Sequence, residues 1–160
     1  MHDKSEDVTP DEVVDAVLTA SRVLVAVAAE SLAAAERQDV SLPQYRVLVL
    51  IAARGPQRVA DLAEALGVNP STATRVCDRL YGKGLIHRRR PPGRRREVRI
   101  SLSDAGVGLV DEVTRRRRDG IARLLAAVPG EQRAAVVHGL RALADAAGEI
   151  PDPDWALGWN

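Results

Sequence analysis

Between residues 75 and 99 the chain carries ten basic side chains: Arg75, Arg79, Lys83, Arg88, Arg89, Arg90, Arg94, Arg95, Arg96 and Arg99. Against them stand only Asp78 and Glu97, so this stretch has a local charge of +8. Guanidinium groups at this density are donors for phosphate oxygens and for the acceptor edges of bases. Just upstream lie Ser71, Thr72 and Thr74, in a stretch where Ala73, Val76 and Leu80 recur at spacings of three and four. On a helix over residues 70–83 that spacing turns Ala73, Val76 and Leu80 inward. It leaves Ser71, Thr72, Arg75 and Arg79 outward, with Thr74 and Asp78 on the flanks. A major groove admits one α-helix, and Ser, Thr and Arg supply the donors and acceptors it needs. Either feature alone has an ordinary reading, the charge run as a solvated face and the polar helix as a surface helix. Their direct succession makes nucleic acid the expected partner.

The second half of the basic run has its own shape. Val98, Ile100 and Leu102 alternate with Glu97, Arg99 and Ser101, the period of a strand with one buried face. Leu85, Ile86, His87, Arg88 and Arg89 can pair with it antiparallel, across a turn at Pro91, Pro92 and Gly93. Arg94, Arg95 and Arg96 then sit at the tip of a hairpin, where an arginine can enter a narrow, electronegative minor groove. Arg88, Arg89 and Arg90, on the facing strand, alternate sides and suit phosphate contacts.

These residues must be positioned by helices. Residues 11–37 are nearly unbroken helix formers with a broad apolar face, and Thr9, Pro10 and Glu12 form a capping box at its start. A second helix begins at Ser41, with Pro43 and the capping-box partner Gln44, and ends at Gly55 and Pro56. Val59, Leu62, Ala63 and Leu66 mark a short helix stopped by Gly67, and Asn69 and Pro70 start the next, which Gly84 ends. Two short helices joined by a tight glycine turn are a helix-turn-helix. Ser103 or Asp104 caps a long helix to about residue 128. After Pro129 and Gly130 a last helix covers about residues 131–147. The fold class is therefore mainly α with a small β-hairpin wing: a winged helix-turn-helix over residues 41–104, flanked by helical regions 1–40 and 105–148 and a tail, 149–160. The wide apolar faces of the flanking helices need another surface, and a two-fold symmetric partner is the commonest solution.

The chain has 160 residues, a soft prior for one domain. Its net charge is +1, which conceals the local asymmetry. With aromatics at 2% and no Phe, the core must be aliphatic. One cysteine, Cys77, excludes an intrachain disulfide or a CxxC motif and fits a reducing cytoplasm. No apolar run approaches the length of a membrane span, and the acidic start does not read as a signal peptide. A soluble cytoplasmic protein without cofactor is the expectation.

The segments Leu62-Ala63-Glu64-Ala65-Leu66-Gly67-Val68, Ser71-Thr72-Ala73-Thr74-Arg75-Val76-Cys77-Asp78-Arg79-Leu80, Gly84-Leu85-Ile86 and Leu102-Ser103-Asp104-Ala105-Gly106 resemble the MarR (multiple antibiotic resistance regulator) family of bacterial transcription factors. The resemblance spans about residues 41–106, and the flanking helices match the family's dimerisation region in placement. It implies a homodimer of winged-helix protomers with recognition helices in successive major grooves of a pseudo-palindrome and wings in the adjoining minor grooves. By position, Arg75 with Ser71, Thr72 and Thr74 would read the major groove, and Arg95 would be the wing arginine. The family's wing usually reads Asp-Arg-Arg, whereas here the first position is Arg94. By the resemblance, the carboxylate that braces the wing arginine is missing there, which leaves two alternatives: Glu97 substitutes for it, or the wing is mobile until DNA orders it.

The resemblance also implies a small-molecule effector, often an anionic aromatic, between the dimerisation helices and the winged helix. Arg22, Tyr45, Arg46 and Arg117 are the candidate pocket residues, with interface packing as the alternative. Arg117 falls between Val113 and Ile121 on an apolar stripe, where it must snorkel, pair or face a cavity. Cys77 reads as a small core residue rather than a redox sensor. His2, His87 and His138 lack the paired spacing of metal ligands. Trp155 and Trp159, in a tail of Pro and acid, are expected to dock on the dimerisation helices. No phosphate loop, GxSxG or His-carboxylate cluster supports an enzyme. The remaining alternative is a sequence-neutral nucleic-acid binder, which would share the basic hairpin but need no base-reading helix.

Overall fold

The structure is a computed structural model, and it describes residues 8–35, 39–90 and 97–149. Six α-helices and one hairpin follow in the order α1 (Pro10–Ala33), α2 (Leu42–Arg54), α3 (Val59–Leu66), α4 (Pro70–Gly82), β1 (Ile86–Arg89), β2 (Arg99–Leu102), α5 (Asp104–Ala126) and α6 (Arg133–Ala146). A 3₁₀ turn, Gly130–Gln132, leads into α6. The expected mainly helical winged helix-turn-helix is thus the observed fold.

Local chemistry accounts for the helix starts. Thr9 and Glu12 close a reciprocal capping box, and the hydrogen bonds from Thr9 hold the Glu12 carboxyl below its ordinary range. Ser41 and Gln44 do the same for α2. Arg58 and Asp61 fix the start of α3, where the guanidinium pairs with Asp61 at 2.6 Å and keeps that carboxyl below the usual carboxylate range. Gly67 ends α3 at φ 64°, a left-handed conformation that a side chain would strain, and Asn69 Oδ1 accepts from Thr72 N at 2.8 Å to open α4.

Two boundaries differ from the sequence reading. The first helix ends at Ala33 rather than near residue 37, although the sequence offers no breaker there. Ala35 and Val40 are both buried, and the chain leaves the helix to turn them into the core. The last helix starts two residues late because nothing caps it by side chain after Pro129, and the first turn tightens to 3₁₀.

The core sits under the helix-turn-helix. Val47 and Leu48 of α2, Leu62 of α3, Cys77 and Leu80 of α4, Leu85, Ile86, Ile100, and Val110 and Val113 of α5 are all fully buried. The inward side of α4 is Ala73, Cys77 and Leu80, while Val76 is only half-buried, so Cys77 takes the place expected for Val76. Burial raises the thiol's pKa, and the nearby Arg88 charge only partly opposes this, so Cys77 is packing rather than a reactive thiolate. Leu80→Ala is expected to cost about 2–5 kcal/mol through the cavity it leaves. Denaturant unfolding at fixed protein concentration measures it, and a loss within about 0.5 kcal/mol would remove Leu80 from the core.

The hairpin pairs Ile86 with Leu102, Arg88 with Ile100 and Arg89 with Arg99. Its other edge is not bare. Gln57, between α2 and α3, forms a bridge to Ile100 through N–H···O bonds of 2.9 and 2.7 Å in the two directions. Ser103 joins hairpin to helix: its Oγ donates to Gly84 O at 2.6 Å and accepts from Gly106 N at 3.1 Å, while Ser103 N donates to Leu85 O.

α1 packs against α5, so closely that a Cβ on Gly120 would come within 2.9 Å of Val27 Cγ1. Among the described residues, much of the apolar surface of the flanking helices stays exposed within the chain. Val13, Val14, Leu18 and Val25 of α1 and Leu140 and Leu143 of α6 are about half or more exposed, and α6 has no buried residue. Among the described residues, no helix is long and apolar enough to cross a membrane.

Candidate nucleic-acid interface

α4 presents the polar face that its sequence demands. Ser71, Thr74, Arg75 and Arg79 are exposed and Thr72 is half-buried. The hydroxyls are held at the helix start. Ser71 Oγ donates to Asn69 Oδ1 at 2.7 Å and Thr74 Oγ1 donates to Pro70 O at 2.9 Å. Each hydroxyl retains lone pairs for an outside donor. Arg75 leans on Thr72 Oγ1 at 3.2 Å, and neither Arg75 nor Arg79 has an ion pair among the described residues. The helix therefore projects two uncompensated guanidinium groups and a row of small polar groups from a backbone fixed by Ala73, Cys77 and Leu80.

β1 continues this charged surface. Arg88, Arg89 and Arg90 are all exposed. Arg88 does not extend freely: its Nη2 pairs with Asp78 Oδ1 of α4, and its guanidinium lies 5.1 Å from the centroid of the Tyr81 ring. The helix period places Asp78 on a flank of α4 and assigns no role to Tyr81. Their i, i+3 spacing on one helix, with a basic strand returning past it, was the available signal. Beside this cluster a groove of about 540 Å³ opens between α3, α4 and the hairpin, lined by Val59, Thr74, Arg88, Arg90, Val98 and Ile100.

Arg94, Arg95 and Arg96, together with the turn at Pro91, Pro92 and Gly93, lie outside the described residues, as do Trp155 and Trp159. Glu97, the expected substitute brace, accepts from Arg99 Nε at 2.8 Å, and Arg99 also reaches the Pro56 carbonyl at 3.5 Å.

The four residues proposed to hold an effector differ in environment. Arg22 is exposed, Tyr45 is buried, and Arg46 is engaged by Glu149, just beyond α6. Arg117 is half-buried, and its Nε is enclosed without a hydrogen-bond partner among the described residues. A separate cleft of about 320 Å³ between α1 and α5 has Glu30, Ser31, Arg115, Asp119 and Arg123 on its walls and none of those four. Among the described residues, no group of three or more His, Cys, Asp or Glu could hold a metal ion.

Comparison with known proteins agrees with this geometry. The MarR family model matches residues 40–98, from the end of the first connection to the middle of the hairpin. The chain is 35% identical over 118 residues to the HTH-type transcriptional repressor MdtR of Bacillus subtilis (strain 168), covering 74% of this chain and 76% of that relative. It is similar to the crystal structure of RV1404 from Mycobacterium tuberculosis, with a TM-score of 0.83 and 40% identity over 91% of this chain and 99% of that one. The YusO protein of Bacillus subtilis also shares the fold, with a TM-score of 0.64 at 31% identity, covering 87% of this chain and 99% of that one. The chain belongs to the MarR family of DNA-binding transcriptional regulators.

Proposed function

We propose that the chain acts as a homodimeric, sequence-specific repressor that binds a pseudo-palindromic operator and is released by a small-molecule effector. The observation that carries this reading is a polar, doubly cationic α4 lying beside an arginine-bearing hairpin, joined to it by the Asp78–Arg88 pair, in a chain that leaves the apolar faces of α1 and α6 exposed. Residues 41–104 serve as the DNA-binding unit, residues 1–40 and 105–148 as the dimerisation region, and residues 149–160 as a tail. Ser71, Thr72, Thr74, Arg75 and Arg79 contact the major groove. Arg88 and Arg90 contact phosphates, and Arg94, Arg95 and Arg96 bring the wing to the minor groove. Two-fold symmetry sets the recognition helices about one helical turn apart, so that both half-sites are read at once.

Repression as the mode of action draws on MdtR, a relative named as a repressor. Effector binding near Arg22, Tyr45, Arg46 and Arg117 favours a spacing of the two α4 helices that misses the second groove, which is a population shift. The enclosed Arg117 Nε supports a polar or anionic ligand at that residue of α5.

Fluorescence anisotropy with duplexes tiled from the region upstream of the chain's own coding sequence tests the reading, with scrambled DNA as reference at two salt concentrations. One pseudo-palindrome is expected to bind at least about 10³-fold tighter than scrambled DNA, with two chains per duplex. Arg95→Ala is expected to weaken that binding and reduce its salt dependence without unfolding the protein. Equal, salt-sensitive binding to every duplex would replace the regulator with a sequence-neutral binder.

A further inference from the structure

An acidic side chain on a DNA-facing helix is costly, because it repels the phosphates that its neighbours attract. Asp78 is such a residue: it lies on α4 one turn from Arg75 and is about half exposed, with a side chain 53% accessible. Its carboxylate is used internally, since Oδ1 engages Arg88 Nη2 of β1 across ten residues of chain. The same guanidinium stacks over Tyr81, so Arg88 is held from two points on one helix face, by an ion pair and by a cation–π contact. A guanidinium has five N–H donors in a fixed fork. Engaging Nη2 with a carboxylate leaves donors on the other edges available.

We propose that Asp78, with Tyr81, is a positioning residue for DNA recognition. It acts through Arg88, locking the wing strand to the recognition helix so that major-groove and wing contacts are presented at one fixed angle. The proposal rests on the DNA-binding reading above and deepens it. The pair is too exposed to contribute much to folding. Its effect is to remove rotamers of the long Arg88 side chain before DNA arrives, so that this ordering is not charged to the binding step.

The sign of the effect separates positioning from simple electrostatics. Removing a negative charge from a DNA-binding face should by itself tighten binding to any duplex and steepen its salt dependence. Loss of positioning instead weakens the preferred duplex while scrambled DNA binds as well or better. The probes are a duplex enriched by the wild-type protein from a random-sequence pool and a scrambled duplex of equal length. Asp78→Ala and Asp78→Asn are each expected to lower affinity for the enriched duplex about tenfold, with unchanged far-UV circular dichroism and melting temperature. In an Arg88→Ala background the same Asp78 substitutions should no longer weaken binding, because the residue they act through is gone. If the wild-type protein enriches a sequence and both Asp78 variants bind it as tightly or more tightly, Asp78 is a solvated acid and the positioning role is overturned. A loss of equal size in the Arg88→Ala background overturns it as well. If the wild-type protein enriches nothing, the regulator reading itself fails, and positioning fails with it.

Discussion

Replacing Leu140 and Leu143 together by glutamate is expected to dissociate the proposed dimer and abolish the proposed high-affinity binding to a two-half-site duplex, while leaving the winged helix folded. Both leucines lie on α6 and are about half exposed, at 50% and 49%, in a helix that has no buried residue in its own protomer. New charges there do not enter the protomer's core. In a dimer that covers this face, each carboxylate would be placed in an apolar interface, at a cost of several kcal/mol. Losing the second half-site removes the effective-concentration gain of bivalent binding, about 10²–10⁴ in affinity. Sedimentation equilibrium reads the first effect and anisotropy the second. A double variant that sediments as a dimer at the wild-type dissociation constant would place the subunit contact elsewhere.

Gly106→Ala carries the other large effect, by a different route. A Cβ at Gly106 would stand 2.1 Å from Leu85 O, well inside contact distance, and the obstacle is backbone rather than a side-chain tip. That carbonyl cannot yield freely because it accepts from Ser103 N, and Ser103 Oγ also ties Gly84 to the start of α5. The methyl group forces apart the junction of α4, hairpin and α5, and a loss of about 3 kcal/mol or more is expected. Thermal and denaturant unfolding check it. A variant with unchanged melting would mean that α5 can shift away from Leu85 at no cost. Gly108, two residues further along the same helix, has nothing within 4 Å of its virtual Cβ, so Gly108→Ala is the matched control.

Much of the fold was legible because local signals agreed with one another. The capping boxes at Thr9 and Ser41, the Asn69-Pro70 start and the glycine stops at Gly67 and Gly84 act over three or four residues, where sequence spacing equals spatial proximity. The alternation of Val98, Ile100 and Leu102 identified the strand face, and Ile100 is fully buried. The basic and polar residues of α4 were legible for the same reason, since the helix period alone sends Arg75 and Arg79 outward. The resemblance of segments such as Leu102-Ser103-Asp104-Ala105-Gly106 named the family. The reason for that segment appears only in space, where Gly106 meets Leu85 O.

The order and type of the elements, the location of the charge and the family all follow from periodicity, caps and short motifs, which act locally along the chain. Contacts between residues far apart along the chain set the rest. The first helix stops at Ala33 because Ala35 and Val40 turn into a core the helix period does not describe. Gln57 adds a bridge to β2 that no alternation announces. Arg46 is engaged by Glu149 across more than a hundred residues. Asp78, half exposed, also engages Arg88 because the chain reverses after Gly84 and brings β1 back past α4. Helical and strand periods assign a side chain to a face, but the partner waiting there is set by how the elements pack.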